Sequence, residues 1–181
     1  MAEIDGRKTS ALLIVDVQEA MITGKMLHQS ATLANLVALL AAARRAGVPV
    51  IHVRHDYGEG HIWAKGTPGW QIHAPLAPMA GEPVIDKRRN SAFYATNLED
   101  IMRAEGIDTL VISGVHTEYC IDATVRAAFD RGFDLVVPAD ANSTEGNNYM
   151  DAARTHAYYN NFMWPVRYAT VVPTAEVLRQ W

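Results

Sequence analysis

Ala11-Leu12-Leu13-Ile14-Val15 is apolar on both faces of an extended chain and ends at the carboxylate of Asp16. A strand with no polar face must be covered above and below, which places it inside a parallel sheet with helices on either side. The following segments keep to that plan. Leu33, Leu36, Val37, Leu40 and Ala43 mark one face of a helix over residues 31–46, stopped by Gly47 and Pro49, and residues 48–54 read as a second strand. Residues 83–87, 109–113, 133–138 and 166–171 supply four more strands. Helical patterns fall over 96–104, 121–129, 149–159 and 174–179. The alternation predicts one α/β domain over 1–181: a doubly wound, Rossmann-like three-layer sandwich around a six-stranded, mostly parallel sheet.

Charge and composition remove several functions. A net charge of −4 leaves no basic footprint for nucleic acid, and no apolar run approaches the roughly 18 residues of a membrane span. The first βα turn lacks Gly-x-Gly-x-x-Gly, and no Walker-type loop occurs, so neither a dinucleotide nor a nucleotide phosphate site is supported. No cofactor is expected. With a single cysteine no internal disulfide can form, and a free thiol requires a reducing compartment. Residues 1–8 lack the basic-then-apolar order of a secretion signal, so the expected location is cytoplasmic.

That one cysteine, Cys120, stands where the strand 109–113 gives way to a helical pattern, in or beside its first turn. Unpaired N–H groups there favour a thiolate and an anion developing next to it. Asp16 and Lys87 end two other strands and arrive at the same sheet edge, supplying a proton acceptor and a cation. Between residues 55 and 81 the pattern breaks into a long connection rich in glycine, proline and aromatic residues, of the kind that lies over strand ends and carries function. Gln18, His55, Trp63, Trp70, Phe93, Tyr94 and Tyr119 are the expected pocket wall. Arg54, Arg88 and Arg89 read first as surface charges, with carboxylate binding as the alternative.

Three linked stretches carry a family resemblance: Leu13-Ile14-Val15-Asp16-Val17-Gln18; Gly81 to Lys87 with Ser91-Ala92-Phe93; and Gly114 to Cys120 with Asp122 to Ala128. Over residues 10–140 the chain resembles the isochorismatase-like cysteine hydrolases, which include nicotinamidases, N-carbamoylsarcosine amidohydrolases and ureidoacrylate amidohydrolases. The resemblance implies a catalytic triad of Asp16, Lys87 and Cys120. It implies a cis peptide between Val115 and His116, an oxyanion hole from the N–H groups of His116 and Cys120, and a homo-oligomer, either dimer or tetramer. The expected function is hydrolysis of an amide, ureide or carbamoyl C–N bond of a small molecule through a thioester. Two alternatives are a non-catalytic binding or assembly protein that keeps the fold, and the cysteine-free vinyl-ether hydrolysis of isochorismatase itself. Nicotinamidases hold a metal through Asp-x-His after the second strand; here that region reads His52-Val53-Arg54-His55, so no metal site is expected. Residues 158–165 fit no part of the resemblance.

Overall fold

The computed structural model describes residues 9–181. Residues 1–8, which carry the secretion-signal reading, lie outside the described residues. Strands β1 (Thr9–Val15), β2 (Val50–His55), β3 (Val84–Lys87), β4 (Ile107–Val115), β5 (Asp134–Pro138), β6 (Asn142–Ser143) and β7 (Thr170–Val172) form one sheet. Its order is β3-β2-β1-β4-β5-β7, with β6 paired to β4, and every ladder is parallel. The chain starts in the centre, runs out through β2 and β3, then returns to β4 and runs the other way. Strands β1 and β4 flank that reversal, and ligands in such sheets bind beyond the carboxyl ends of the strands there.

Helices α1 (Gln29–Ala46), α2 (Leu98–Ala104), α3 (Asp122–Phe129), α4 (Ala152–Tyr158), α5 (Trp164–Arg167) and α6 (Thr174–Leu178) cover the sheet. Alternation along β1 divides the core. Leu12 and Ile14 pack with Leu36, Leu39 and Leu40 of α1 and Val177 of α6. Leu13 and Val15 pack with Leu98 and Met102 of α2, Val125 and Ala128 of α3, and Trp164. No helix among the described residues is long and apolar enough to cross a membrane.

The structure amends two expectations. There are seven strands rather than six, because β6 is two residues long and leaves no periodicity to read. The fourth predicted helix begins at Ala152 and continues through a π-type turn (Tyr159–Met163) into α5, so it absorbs the start of the expected strand 166–171. Burial of Trp164 holds that continuation down and leaves only Thr170–Val172 extended. The 55–81 connection agrees with its reading as a long break in the pattern: it is built on short 3-10 turns at Pro68–Trp70 and Ala74–Leu76, with no crossover helix between β2 and β3.

Gly114 is opposite Val15 in the β1–β4 ladder, with φ 126°, and a Cβ there would collide with the Val15 carbonyl. Only glycine combines that torsion with that approach. Gly114→Ala should therefore cost about 2–4 kcal/mol, read as a lower denaturant midpoint, and an unchanged midpoint would refute the steric argument.

Candidate active site

Each strand end turns its first polar group inward. Asp16 follows β1 with φ 57°, a left-handed torsion that aspartate tolerates better than most residues. Its N–H donates to the Val53 carbonyl at 3.0 Å and its own carbonyl accepts from Gln18 N–H at 2.9 Å. Lys87, the last residue of β3, is 1% exposed, and Asp16 is fully buried. Beyond β4 the Val115–His116 peptide is cis. A π-type turn (Thr117–Ile121) follows, with the His116 carbonyl accepting from the N–H groups of Tyr119 at 3.1 Å and Ile121 at 3.2 Å. Cys120, 5% exposed, lies in that turn immediately ahead of α3.

Lys87 joins the other two groups. Its Nζ is 2.6 Å from Asp16 Oδ2 and 3.1 Å from Cys120 Sγ. It also donates to the Arg89 carbonyl at 3.1 Å. The Asp16 contact is an ion pair without hydrogen-bond alignment, and Asp16 Oδ1 has no partner, so the carboxylate keeps an unused acceptor. Burial by itself raises the Asp16 pKa, but the Lys87 ammonium, with the nearby polar groups of His55 and Cys120, outweighs it and leaves the carboxyl below its usual value. For Lys87 burial pulls down, while the charge of Asp16, with Cys120 beside it, pulls harder and holds it up. Burial, then the Asp16 charge, pushes the Cys120 thiol up against the opposing pull of Lys87. The resting site is thus carboxylate, ammonium and neutral thiol.

His55, at the end of β2, is a fourth member. Its Nδ1 lies 3.0 Å from Lys87 Nζ, 3.7 Å from Cys120 Sγ and 3.8 Å from Asp16 Oδ2. Asp16, His55 and Cys120 thereby present three potential metal-ligand atoms within 4.8 Å of one another, a grouping that the spacing of histidines did not suggest. The Lys87 ammonium stands within 3.1 Å of all three, where a metal cation would have to sit. The other histidines near the second strand and the long connection disperse: His52 binds Glu82 at 3.0 Å, His61 stacks on Tyr57, and His73 meets Glu19 at 3.2 Å.

The expected pocket residues separate into distinct tasks. Gln18 is fully buried and commits both ends of its amide to backbone. Nε2 donates to the carbonyls of His55 at 3.1 Å and Trp70 at 2.9 Å, while Oε1 accepts from His55 N–H at 2.8 Å. It clamps β2 to the long connection rather than facing a ligand. Trp70 lies under the Arg54 guanidinium, Phe93 belongs to the core beside Phe133, and Trp63 packs against Met21, Met26 and Val115. Tyr94 and Tyr119 are exposed. A cavity of about 640 Å³ adjoins the cluster, lined by His55, Asp56, Tyr57, Arg88, Arg89 and Asn90, and Asn90 Oδ1 reaches to 3.9 Å from the thiol. Tyr57, one of the aromatic residues of the long connection, stacks on His55 with ring centroids 4.1 Å apart, whereas Asn90 has no sequence signal that marks it as a wall residue.

The turn is braced from behind by a buried polar network. Thr117 Oγ1 donates to Asn142 Oδ1 at 2.8 Å, and Asn142 and Asn160 exchange amide bonds at 2.9 and 3.1 Å. Trp164 Nε1 donates to Asp122 Oδ1 at 3.0 Å at the start of α3. The segment 158–165, without a role in the sequence, is what holds these bonds.

Comparison with known proteins agrees with this architecture. The family model described as the isochorismatase domain matches residues 10–170. A streptothricin hydrolase of Streptomyces noursei is 39% identical over 74% of this chain and 49% of its own, so the chain spans about half the length of that relative. Maleamate amidohydrolase of Pseudomonas putida is 30% identical over 97% of this chain and 87% of its own. Among solved structures, an isochorismatase-family protein from Chromobacterium violaceum superposes with a TM-score of 0.89 at 32% identity, covering 98% of this chain and 95% of that one.

Proposed function

The chain belongs to the isochorismatase family, and from that premise we propose that it is a cysteine hydrolase of small-molecule C–N bonds, with Asp16, Lys87 and Cys120 as its catalytic residues. The observation that carries this reading is the buried contact of one ammonium with both a carboxylate and the lone thiol. Relatives named for amide hydrolysis support the bond type. A thiol at that point disfavours the cysteine-free vinyl-ether chemistry.

In the proposed cycle Asp16 takes the Cys120 proton on its unpartnered side as Sγ attacks the carbonyl carbon. With the thiol raised and the carboxyl lowered, the transfer is proposed to accompany attack rather than precede it. Negative charge moves to the carbonyl oxygen, where the N–H groups of His116 and Cys120 are proposed to receive it. Collapse breaks the C–N bond, and Asp16 returns the proton to the departing nitrogen. Water then attacks the thioester, giving its proton to Asp16; collapse breaks the C–S bond, the departing sulfur takes that proton back from Asp16, and the acid product leaves with the thiol restored. Lys87 keeps Asp16 ionised between transfers.

The test is ammonia or amine release from a panel of small amides, ureides and carbamoyl amino acids, with mass analysis of protein quenched during turnover. A substrate acyl adduct on Cys120 is expected. Turnover with no adduct at that residue under slow-substrate conditions, together with full activity in a Cys120 variant, would overturn the reading. Exposed Tyr158, Phe162 and Val166 recur at four-residue spacing along the C-terminal helical segment and support assembly as a dimer or tetramer, to be checked by light scattering.

A further inference from the structure

Lys87 Nζ has three protons and four close neighbours: Asp16 Oδ2 at 2.6 Å, His55 Nδ1 at 3.0 Å, and Cys120 Sγ and the Arg89 carbonyl, both at 3.1 Å. Three of these contacts are aligned as hydrogen bonds, and the one that is not is the shortest, the ion pair with Asp16. Among the described residues neither Asp16 carboxylate oxygen receives a hydrogen bond, although both are buried. The cation therefore sits beside the carboxylate while its protons point elsewhere. An ammonium has no lone pair, so the contact at 3.0 Å makes His55 Nδ1 the acceptor and places the ring proton on Nε2.

That acceptor is held in place without help from the ammonium. The β2–β3 register sets His55 opposite Lys87. Gln18 binds both backbone groups of His55, accepting from its N–H at 2.8 Å and donating to its carbonyl at 3.1 Å. Tyr57 stacks on the ring, and the residue is buried. With Nδ1 and the Arg89 carbonyl taking two of the ammonium protons, the third falls on Sγ. If nothing accepted at position 55, the freed proton would turn to Asp16 Oδ2, the nearest of the four neighbours and the charged one, in a bond that occupies a lone pair. Asp16 would then be a poorer base for the thiol. Resting on the C–N hydrolase reading, we propose that His55 is a positioning residue: its Nδ1 steers the Lys87 ammonium towards Cys120, so that one cation keeps Asp16 ionised without occupying the lone pairs that take the thiol proton.

Two measurements test this without a substrate. Nitrogen-15 spectra of histidine-labelled protein, with the His55 signals assigned by their loss in His55→Leu, should show an unprotonated Nδ1 and a protonated Nε2 at neutral pH. A proton on Nδ1 overturns the proposal. The second measurement is the rate at which iodoacetamide alkylates Cys120, the one cysteine of the chain. His55→Leu fills the space of the ring but accepts nothing, whereas His55→Asn is smaller and puts a carbonyl oxygen near the place of Nδ1. Alkylation should slow about 10-fold or more in His55→Leu and stay within about threefold of the unaltered rate in His55→Asn. A role in packing alone predicts the opposite order, and equal rates in the two variants, or a leucine variant closer to the unaltered protein, overturn the proposal. In turnover of an amide, kcat should follow the order of the alkylation rates. If the unaltered protein hydrolyses no amide of the panel, yet the tautomer and the alkylation order are as expected, the hydrolase reading fails and the steering of Lys87 by His55 stands.

Discussion

Cys120→Ala should lower kcat/KM by about 10⁴-fold or more while leaving the fold intact, because the proposed chemistry has no other nucleophile. The substitution removes one sulfur from a turn whose backbone is held by the His116 carbonyl and the Thr117–Asn142 bond, neither of which involves the thiol. Cys120→Ser is expected to fail almost as badly. Its hydroxyl fits the space but gives up a proton far less readily, and burial already opposes ionisation there. Ligand binding by the alanine variant, measured by calorimetry with a slow substrate, should persist and separate loss of chemistry from loss of shape. Residual turnover above a few per cent in Cys120→Ala would mean that water attacks the carbonyl directly, with Asp16 as its base.

Lys87→Met should damage both stability and rate. Methionine nearly conserves volume but leaves the fully buried Asp16 without its cation, and breaking such a pair costs about 3–5 kcal/mol. The pH dependence gives a sharper signature. In the unaltered protein the lowered Asp16 pKa contributes stability above the unfolded value near 3.8, lost as pH falls through the lower folded value. The raised Lys87 pKa contributes stability below the unfolded value of 10.5, lost as pH rises through the higher folded value. Stability from the pair is therefore flat across neutral pH. In Lys87→Met the largest opposition to burial is gone and only His55 and Cys120 still pull the other way, so the Asp16 pKa should move above the unfolded value and stability should fall as pH rises through the acid range. Denaturant midpoints between pH 4 and 8 distinguish the two profiles; a flat profile in Lys87→Met would sink the electrostatic account.

The three groups of the cluster were legible in the sequence because a buried strand announces its own end. Val15 to Asp16 and Asp86 to Lys87 are each a step to a charged residue at a strand's carboxyl end, and a parallel sheet sends those ends to one edge. Gln18 reads from the sequence as a wall residue; its bonds to backbone groups 37 and 52 residues away are not legible there, because backbone carbonyls have no sequence signature. His55 reads from the sequence only as a wall residue, since its approach to Lys87 follows from the β2–β3 register that sets the two residues opposite each other. Asn142 and Asn160 look like loop polar residues until their mutual amide pairing is seen. At the C-terminus, Val166 and Tyr168 suit strand or helix equally, and burial of Trp164 decides for helix.

The sheet order has a practical corollary. Asp16, Lys87 and Cys120 come from β1, β3 and the turn after β4, elements spanning four adjacent strands, so the thiol is shielded only while all four stay in register. Any partial opening of that edge returns Cys120 to solvent with an ordinary thiol's reactivity. The single cysteine thus doubles as an internal gauge of intactness: its alkylation rate in mild denaturant measures how often the central sheet comes apart, with no label added to the chain.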